Sequence, residues 1–139
     1  MIVLDENLQV LRLGNPIATW YPGRVCYIVD LDPGAVIKDE AIPTYLRQLR
    51  GATFVTTNVT DFWRRVRADA HYCIVCLSLP NERLREVPNL LRRLFRLTEL
   101  KTKAARMGKV VRVSRRRIQY YTVSDNRLRS LSTIPDFHS

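Results

Sequence analysis

The acidic residues of this 139-residue chain number only 13, and several stand directly behind short apolar runs. Asp5 and Glu6 follow Ile2–Leu4, and Asp30 and Asp32 follow Val25–Val29. Asp39 and Glu40 precede an apolar stripe made by Ile42, Tyr45, Leu46 and Leu49. Asp61 comes soon after Thr53–Thr56, behind Thr57, Asn58, Val59 and Thr60. If the runs are strands of a parallel sheet, these acids gather beyond its carboxyl ends, where open α/β sheets bind ligands. Clustered carboxylates repel one another and need a compensating cation. An oxygen-only donor set suits Mg²⁺ or Mn²⁺, ions that activate water and offset charge in phosphodiester hydrolysis. The same residues also suit plainer work, because Asn7, Asp39 and Asp61 each stand where a turn or helix cap belongs.

The elements that must position these acids read as α/β. Ile2–Leu4, Val25–Val29, Thr53–Thr56 and Tyr72–Leu77 are continuous apolar runs rich in Val, Ile, Tyr and Thr, the pattern of strands buried on both faces. Leu8, Leu11 and Leu13 suggest a short helix capped by Asn7. The Ile42–Leu49 stripe gives a second helix, with Pro43 near its start and Gly51 just past its end. Leu84, Val87, Leu90, Leu91, Leu94, Phe95 and Leu97 predict a long helix from about Glu82 to Met107, stopped by Gly108. Pro88 allows the main helix to begin there instead. Alternating strands and helices imply right-handed βαβ units. Lys109–Val113 and Ile118–Val123, around Ser114–Arg117, predict a C-terminal hairpin. The expected organisation is one domain over 1–129 and a loosely ordered tail over 130–139.

Charge points to partners. Lys and Arg total 23, giving a net charge of +10, a field that favours polyanions, nucleic acid first. Arg64 and Arg65 lie close behind Asp61, Arg92 and Arg96 share a helix face, and Arg115, Arg116 and Arg117 lie at the hairpin turn. All seven are candidate phosphate contacts, although a solvated helix surface is the plainer reading of scattered charge. Tyr120 and Tyr121 beside the turn could add base stacking, with one of the two facing the core. Trp63 reads first as a packing residue, and Trp20 and Tyr21 as packing a loop over the sheet.

Other chemistries have little support. Cys26, Cys73 and Cys76 lie in apolar segments. The C-x2-C spacing of Cys73 and Cys76 would send the two thiols to opposite faces of a strand, so buried core cysteines are expected rather than a zinc site. No Ser-His-Asp or Cys-His set and no glycine-rich phosphate loop is present. No apolar run is long enough to span a membrane, and the start lacks a basic signal-peptide region, so a cytoplasmic protein is expected.

Three segments, in order, carry a resemblance. Ile2-Val3-Leu4-Asp5-Glu6-Asn7-Leu8 resembles the opening of the small stand-alone PIN-like proteins, a hydrophobic strand followed by Asp-Glu-Asn-Leu. Lys38-Asp39-Glu40-Ala41-Ile42 resembles their Asp-Glu-x-Ile helix start, and Thr53 to Phe62 their strand running into Thr-x-Asp-x-Asp-Phe. The likeness covers roughly residues 1–122. It implies a three-layer PIN-like fold with a central mostly parallel sheet, and a divalent-metal site for RNA cleavage. It further implies a small antitoxin protein as partner. Carried over, Asp5, Asp39 and Asp61 become the catalytic and metal-binding carboxylates, with Glu6, Glu40 and Asn58 as further ligands to Mg²⁺ or Mn²⁺. The third motif departs from the family pattern. Val59 or, with one inserted residue, Asn58 stands where its first Asp belongs, which opens a second reading: a catalytically degenerate module that binds nucleic acid or a protein. A third reading uses the apolar Leu90–Leu97 helix for a homodimer or for holding the antitoxin.

Overall fold

The computed structural model describes residues 1–115 and 117–131. Its centre is a seven-stranded mixed sheet of order β2-β1-β3-β4-β5-β6-β7. The strands are β1 (Ile2–Leu4), β2 (Val25–Tyr27), β3 (Ala52–Thr56), β4 (Tyr72–Leu77), β5 (Lys109–Val113), β6 (Ile118–Thr122) and β7 (Arg129–Leu131). The first five run parallel, whereas β5–β6 and β6–β7 pair antiparallel. The protein is therefore α/β with a mostly parallel sheet and a C-terminal hairpin. β3 and β4 are buried at every residue, which explains their continuous apolar sequence.

Helices cover both faces. On one face, α1 (Gly14–Ala18) and α4 (Val87–Leu94) pack Leu13, Ile17, Leu90, Leu91 and Leu94 against Leu4, Val55, Val75 and Val111. On the other, α2 (Ile42–Leu49) and α3 (Val59–Phe62) pack Ile42, Leu46 and Phe62 against Val3, Phe54, Ile74 and Val110. Truncating a residue as buried as Leu46 to Ala costs about 2–5 kcal/mol, from lost transfer energy and the cavity left behind. Cys73 joins the first core and Cys76 the second, both free and buried, as i and i+3 positions of a strand require.

Several expected boundaries move. Asp5, not Asn7, caps the first turn: its carboxylate accepts the Glu6 N–H at 2.8 Å. That turn is a 3-10 segment, Glu6–Leu8. The α-helix starts only at Gly14, after Arg12 takes a left-handed φ of 53°. β2 ends at Tyr27 because Asp30 Oδ2 accepts the Tyr27 N–H at 3.0 Å and folds the next residues into a 3-10 turn. The long helix predicted over 82–107 is three pieces: a 3-10 segment Asn81–Glu86, α4, and α5 (Lys103–Arg106). Pro88 lies in the first turn of α4, where its missing N–H costs nothing, and Thr102 caps α5 by accepting the Ala105 N–H at 3.1 Å. The sheet also runs past the expected hairpin, because β7 pairs with β6 two residues into the segment expected to be loose; the remainder of that segment, 132–139, lies outside the described residues.

The crossovers differ in hand. α3 links β3 to β4 over one face and α4 links β4 to β5 over the other, although both steps go in the same direction across the sheet. They cannot both be right-handed, contrary to the uniform hand expected of βαβ units. More important for the site, β1 feeds α1 on one face and its neighbour β3 feeds α3 on the opposite face. The chain diverges there and leaves a crevice beyond the carboxyl ends of β1 and β3.

Candidate active site at the carboxyl edge of the sheet

Asp5, Asn58 and Asp61 enter this crevice from β1 and β3, and Asp39 reaches it from the 3-10 turn Asp39–Ala41 that leads into α2. Asp5 is the fixed member. It is 6% exposed, takes the Glu6 N–H on Oδ1, and takes the Thr56 hydroxyl on Oδ2 at 2.6 Å. Thr56 Oγ1 in turn accepts the Asn58 N–H at 2.9 Å, so Asp5 and the loop after β3 are joined through one hydroxyl. Short bonds of this kind to a charged acceptor are the stronger class.

Asn58 organises the exposed part. Its Oδ1 accepts the Asp61 N–H at 3.3 Å and caps α3. Its Nδ2 donates to Asp61 Oδ2 at 2.8 Å and to Asp39 Oδ2 at 3.3 Å. The cap fixes the amide orientation: exchanging O and N would turn the oxygen toward two carboxylates and the NH₂ toward a backbone donor. Asn58 therefore serves the site as a donor between two acids, not as the oxygen ligand expected of it. Asp39 is the stressed member. Its carboxyl is raised above the ordinary 3.8, first by burial, then by Asp5, by a hydrogen bond shared with Asp61, and by the charges of Asp61 and Glu40. Glu40 is exposed and lines the same open depression of about 640 Å³ as Asp39 and Asp61. Glu6 is exposed, and its backbone N–H is what Asp5 holds.

A hard divalent cation is the group the sequence implies here, and the donor chemistry fits one. All the groups are oxygen donors or neighbours of them, the acids crowd one another, and Asn7 Oδ1 is buried without a hydrogen-bond partner while its Nδ2 binds Thr57 Oγ1. Among the described residues, however, no three His, Cys, Asp or Glu side chains stand together in ligating geometry. The Asn58 amide lies between Asp39 and Asp61 and donates to both.

The seven arginines singled out from the sequence divide. Arg65 lines the acidic depression, with Arg47 and Arg67 beside it, two cations that sequence spacing did not bring to this place. Arg64 is committed elsewhere: its left-handed φ of 62° turns the side chain to donate to the Asn126 carbonyl at 2.7 Å and to stack over Tyr121 at 5.2 Å. Arg92 and Arg96 line a different cavity. Arg115 and Arg117 line a depression with Ser78, Arg112 and Ser114, and Arg116 lies outside the described residues.

Arg112, inside the hairpin strand Lys109–Val113, is a residue that the sequence does not single out. It pairs with Cys76, which pairs with Thr56, so it shares a row and a sheet face with the hydroxyl that holds Asp5. The two lie two strands apart, about 10 Å, and Arg112 Nε is buried without a partner. Strand alternation carried the signal; the missing knowledge was strand order.

Tyr120 and Tyr121 offer no stacking platform, because both are buried, one in each core. Trp63 packs on Tyr121 at 5.3 Å. The apolar face of Leu90, Leu91 and Leu94 is spent on the core rather than left for a partner. Among the described residues, no helix is long and apolar enough to cross a membrane. Comparison of the chain with family models, with curated proteins and with solved structures found no match.

Proposed function

We propose that the chain is a PIN-like, metal-dependent endoribonuclease of the toxin type, with Asp5, Asp39 and Asp61 as its acidic set. The observation that carries this reading is the crowding of Asp39 by Asp5, Asp61 and Glu40 in a crevice at the carboxyl ends of β1 and β3. Stability alone does not favour packing acids together, and a functional site is the usual place for such a perturbed carboxyl. Mg²⁺ or Mn²⁺ held by these acids supplies activation of water and neutralisation of charge on a phosphodiester.

The chain's own residues supply the rest. Asp5 is locked in one rotamer by Glu6 and Thr56 and gives the site a rigid anchor. Asp39 and Asp61, joined through the Asn58 amide, would hold the cation with it. Arg47, Arg65 and Arg67 stand around the same depression and hold substrate phosphates by charge-assisted hydrogen bonds. Arg112, Arg115 and Arg117 line a second basic depression that extends the phosphate track. The net charge of +10 draws RNA toward this edge. On this reading the protein works in the cytoplasm, and a small antitoxin protein covers the acidic depression.

The test is cleavage of single-stranded RNA with Mn²⁺ or Mg²⁺. Asp5→Asn is expected to lower the rate at least about 100-fold, the scale of losing a transition-state electrostatic contact. Equal rates for wild type and variant would remove Asp5 from the mechanism.

A second reading rests on one specific observation. Asn58 neutralises the approach of Asp39 and Asp61 with an amide, and Val59 supplies no acid. This favours a PIN-like scaffold that binds nucleic acid and no longer cuts it. It predicts RNA affinity that falls steeply with salt, with no metal-dependent cleavage; affinity flat between about 50 and 200 mM salt would sink the basic-surface argument in both readings.

A further inference from the structure

The opposite edge of the sheet, where the parallel strands begin, holds the reverse accumulation of charge. Arg106, the last residue of α5, is 5% exposed. Its Nε donates to Thr53 Oγ1 at 3.3 Å, and its Nη1 donates to the carbonyls of Leu100 at 3.0 Å and Lys101 at 3.3 Å. The guanidinium also lies over the Phe95 ring at 4.4 Å. All these partners are neutral, whereas a charge so far from water ordinarily meets an opposite charge.

Arg106 opens into a cavity of about 640 Å³ also lined by Arg92, Arg96, Lys101 and Lys103, with no acidic residue in its lining. Lys103 is held against the start of β3. A Cβ at Gly51, where φ is +128°, would come within 2.2 Å of the lysine's Cε, so this glycine makes room for it. One wall is aromatic. Trp20 meets Tyr21 and Phe95 edge to face, each at 6.1 Å, and both Trp20 and Tyr21 keep part of their surface open.

We propose that this cavity binds a terminal phosphate monoester on a nucleoside, carried either by a free nucleotide or by the end of an RNA chain. The chemistry follows from three features. A planar guanidinium with unused donors matches phosphate oxygens by its fork. Five converging cations reward the dianion of a monoester over the single charge of an internal diester or a carboxylate. Aromatic faces beside them give a base somewhere to stack, as an acidic peptide would not require. The proposal is independent of the nuclease reading, because the acids of that site lie at the other end of β1 and β3.

The experiment uses the full chain in EDTA, so that no cleavage intervenes. Affinities are compared for octaribonucleotides ending in phosphate or in hydroxyl, at constant salt, and for adenosine monophosphate against adenosine. A phosphate gain of about tenfold is expected in at least one arm. A gain with oligonucleotides assigns the RNA end, and a gain with the mononucleotide alone assigns the free nucleotide. No gain in either arm overturns the proposal. Lys103→Glu and Arg96→Glu, both at exposed positions, are expected to bring the gain within about twofold of unity. A gain that survives both variants places the phosphate elsewhere and overturns it equally.

Discussion

The two ends of β3 solve the same problem with opposite charges. At its start Thr53 accepts from Arg106, and at its end Thr56 donates to Asp5. Each is a buried charge held by a threonine hydroxyl, and among the described residues neither has an ion-pair partner. They differ in how their neighbours behave. Around Asp5 the acids are tied together by shared donors, the Thr56 hydroxyl and the Asn58 amide. Around Arg106 the cations are separate and converge only on a common cavity. A hydrogen-bonded cluster can rearrange as a unit when a ligand arrives, whereas a ring of independent cations needs only to be approached. Three residues of strand, about 10 Å, separate the two hydroxyls, which point to opposite faces of the sheet.

Asp5→Ala has the largest expected effect on stability. It orphans the Glu6 N–H and the Thr56 hydroxyl in a buried place, at a cost of about 2–4 kcal/mol, read as a drop in the midpoint of urea unfolding at unchanged slope. Arg106→Met sharpens the comparison. It keeps the contact with Phe95 but strips two carbonyls of a donor, and should cost about 1–2 kcal/mol in the same measurement. A larger loss than for Asp5→Ala would show that the basic end, not the acidic end, is the structural one.

Asn58→Asp replaces the bridging amide with another carboxylate. Without metal it should lower Tm by about 5 °C, and the rise in Tm on adding Mn²⁺ should exceed that of wild type. An equal Mn²⁺ response in both would break the link between Asn58 and cation binding.

Asp39→Asn gives the smallest shift. A carboxyl raised above 3.8 binds its proton more tightly in the folded state. Asp39 therefore costs no stability below that pH, and its cost grows as pH rises through the raised value and persists at neutrality. The variant should raise Tm by roughly 2 °C at pH 7, a modest figure because solvent reaches the group, and by nothing below pH 3.8. Thermal melts at several pH values read it; a gain independent of pH would deny the crowding.

How far the sequence carried these features depends on range. β1 and β4 are legible to the residue because burial on both faces writes a continuous apolar run, and β5 because Val110, Val111 and Val113 follow the Gly108 stop as one arm of a hairpin. The gathering of Asp5, Asp39 and Asp61 is legible because each follows a strand or opens a helix. The 82–107 segment misled because Leu94, Phe95 and Leu97 keep helical spacing, while the real break is enforced from outside the helix: Arg106 bends back to the Leu100 and Lys101 carbonyls. The cavity around Arg106 draws on residues 20–23 and 92–106, and nothing local announces that they meet. Arg112 needed the strand order that joins it to Thr56.

Cys73 and Cys76 sit three residues apart in β4, each facing a different helical layer. Burial pushes both thiols up to about 12, so neither offers reagent a thiolate while the fold is closed. Alkylation must wait for an opening, and the two sulfurs wait for different ones. Release of the layer holding α1 and α4 exposes Cys73; release of the layer holding α2 and α3, beside the acidic crevice, exposes Cys76. Peptide-resolved labelling rates on one strand thus clock the two sides of the protein separately, and a ligand that slows one rate and not the other reports which side it has grasped.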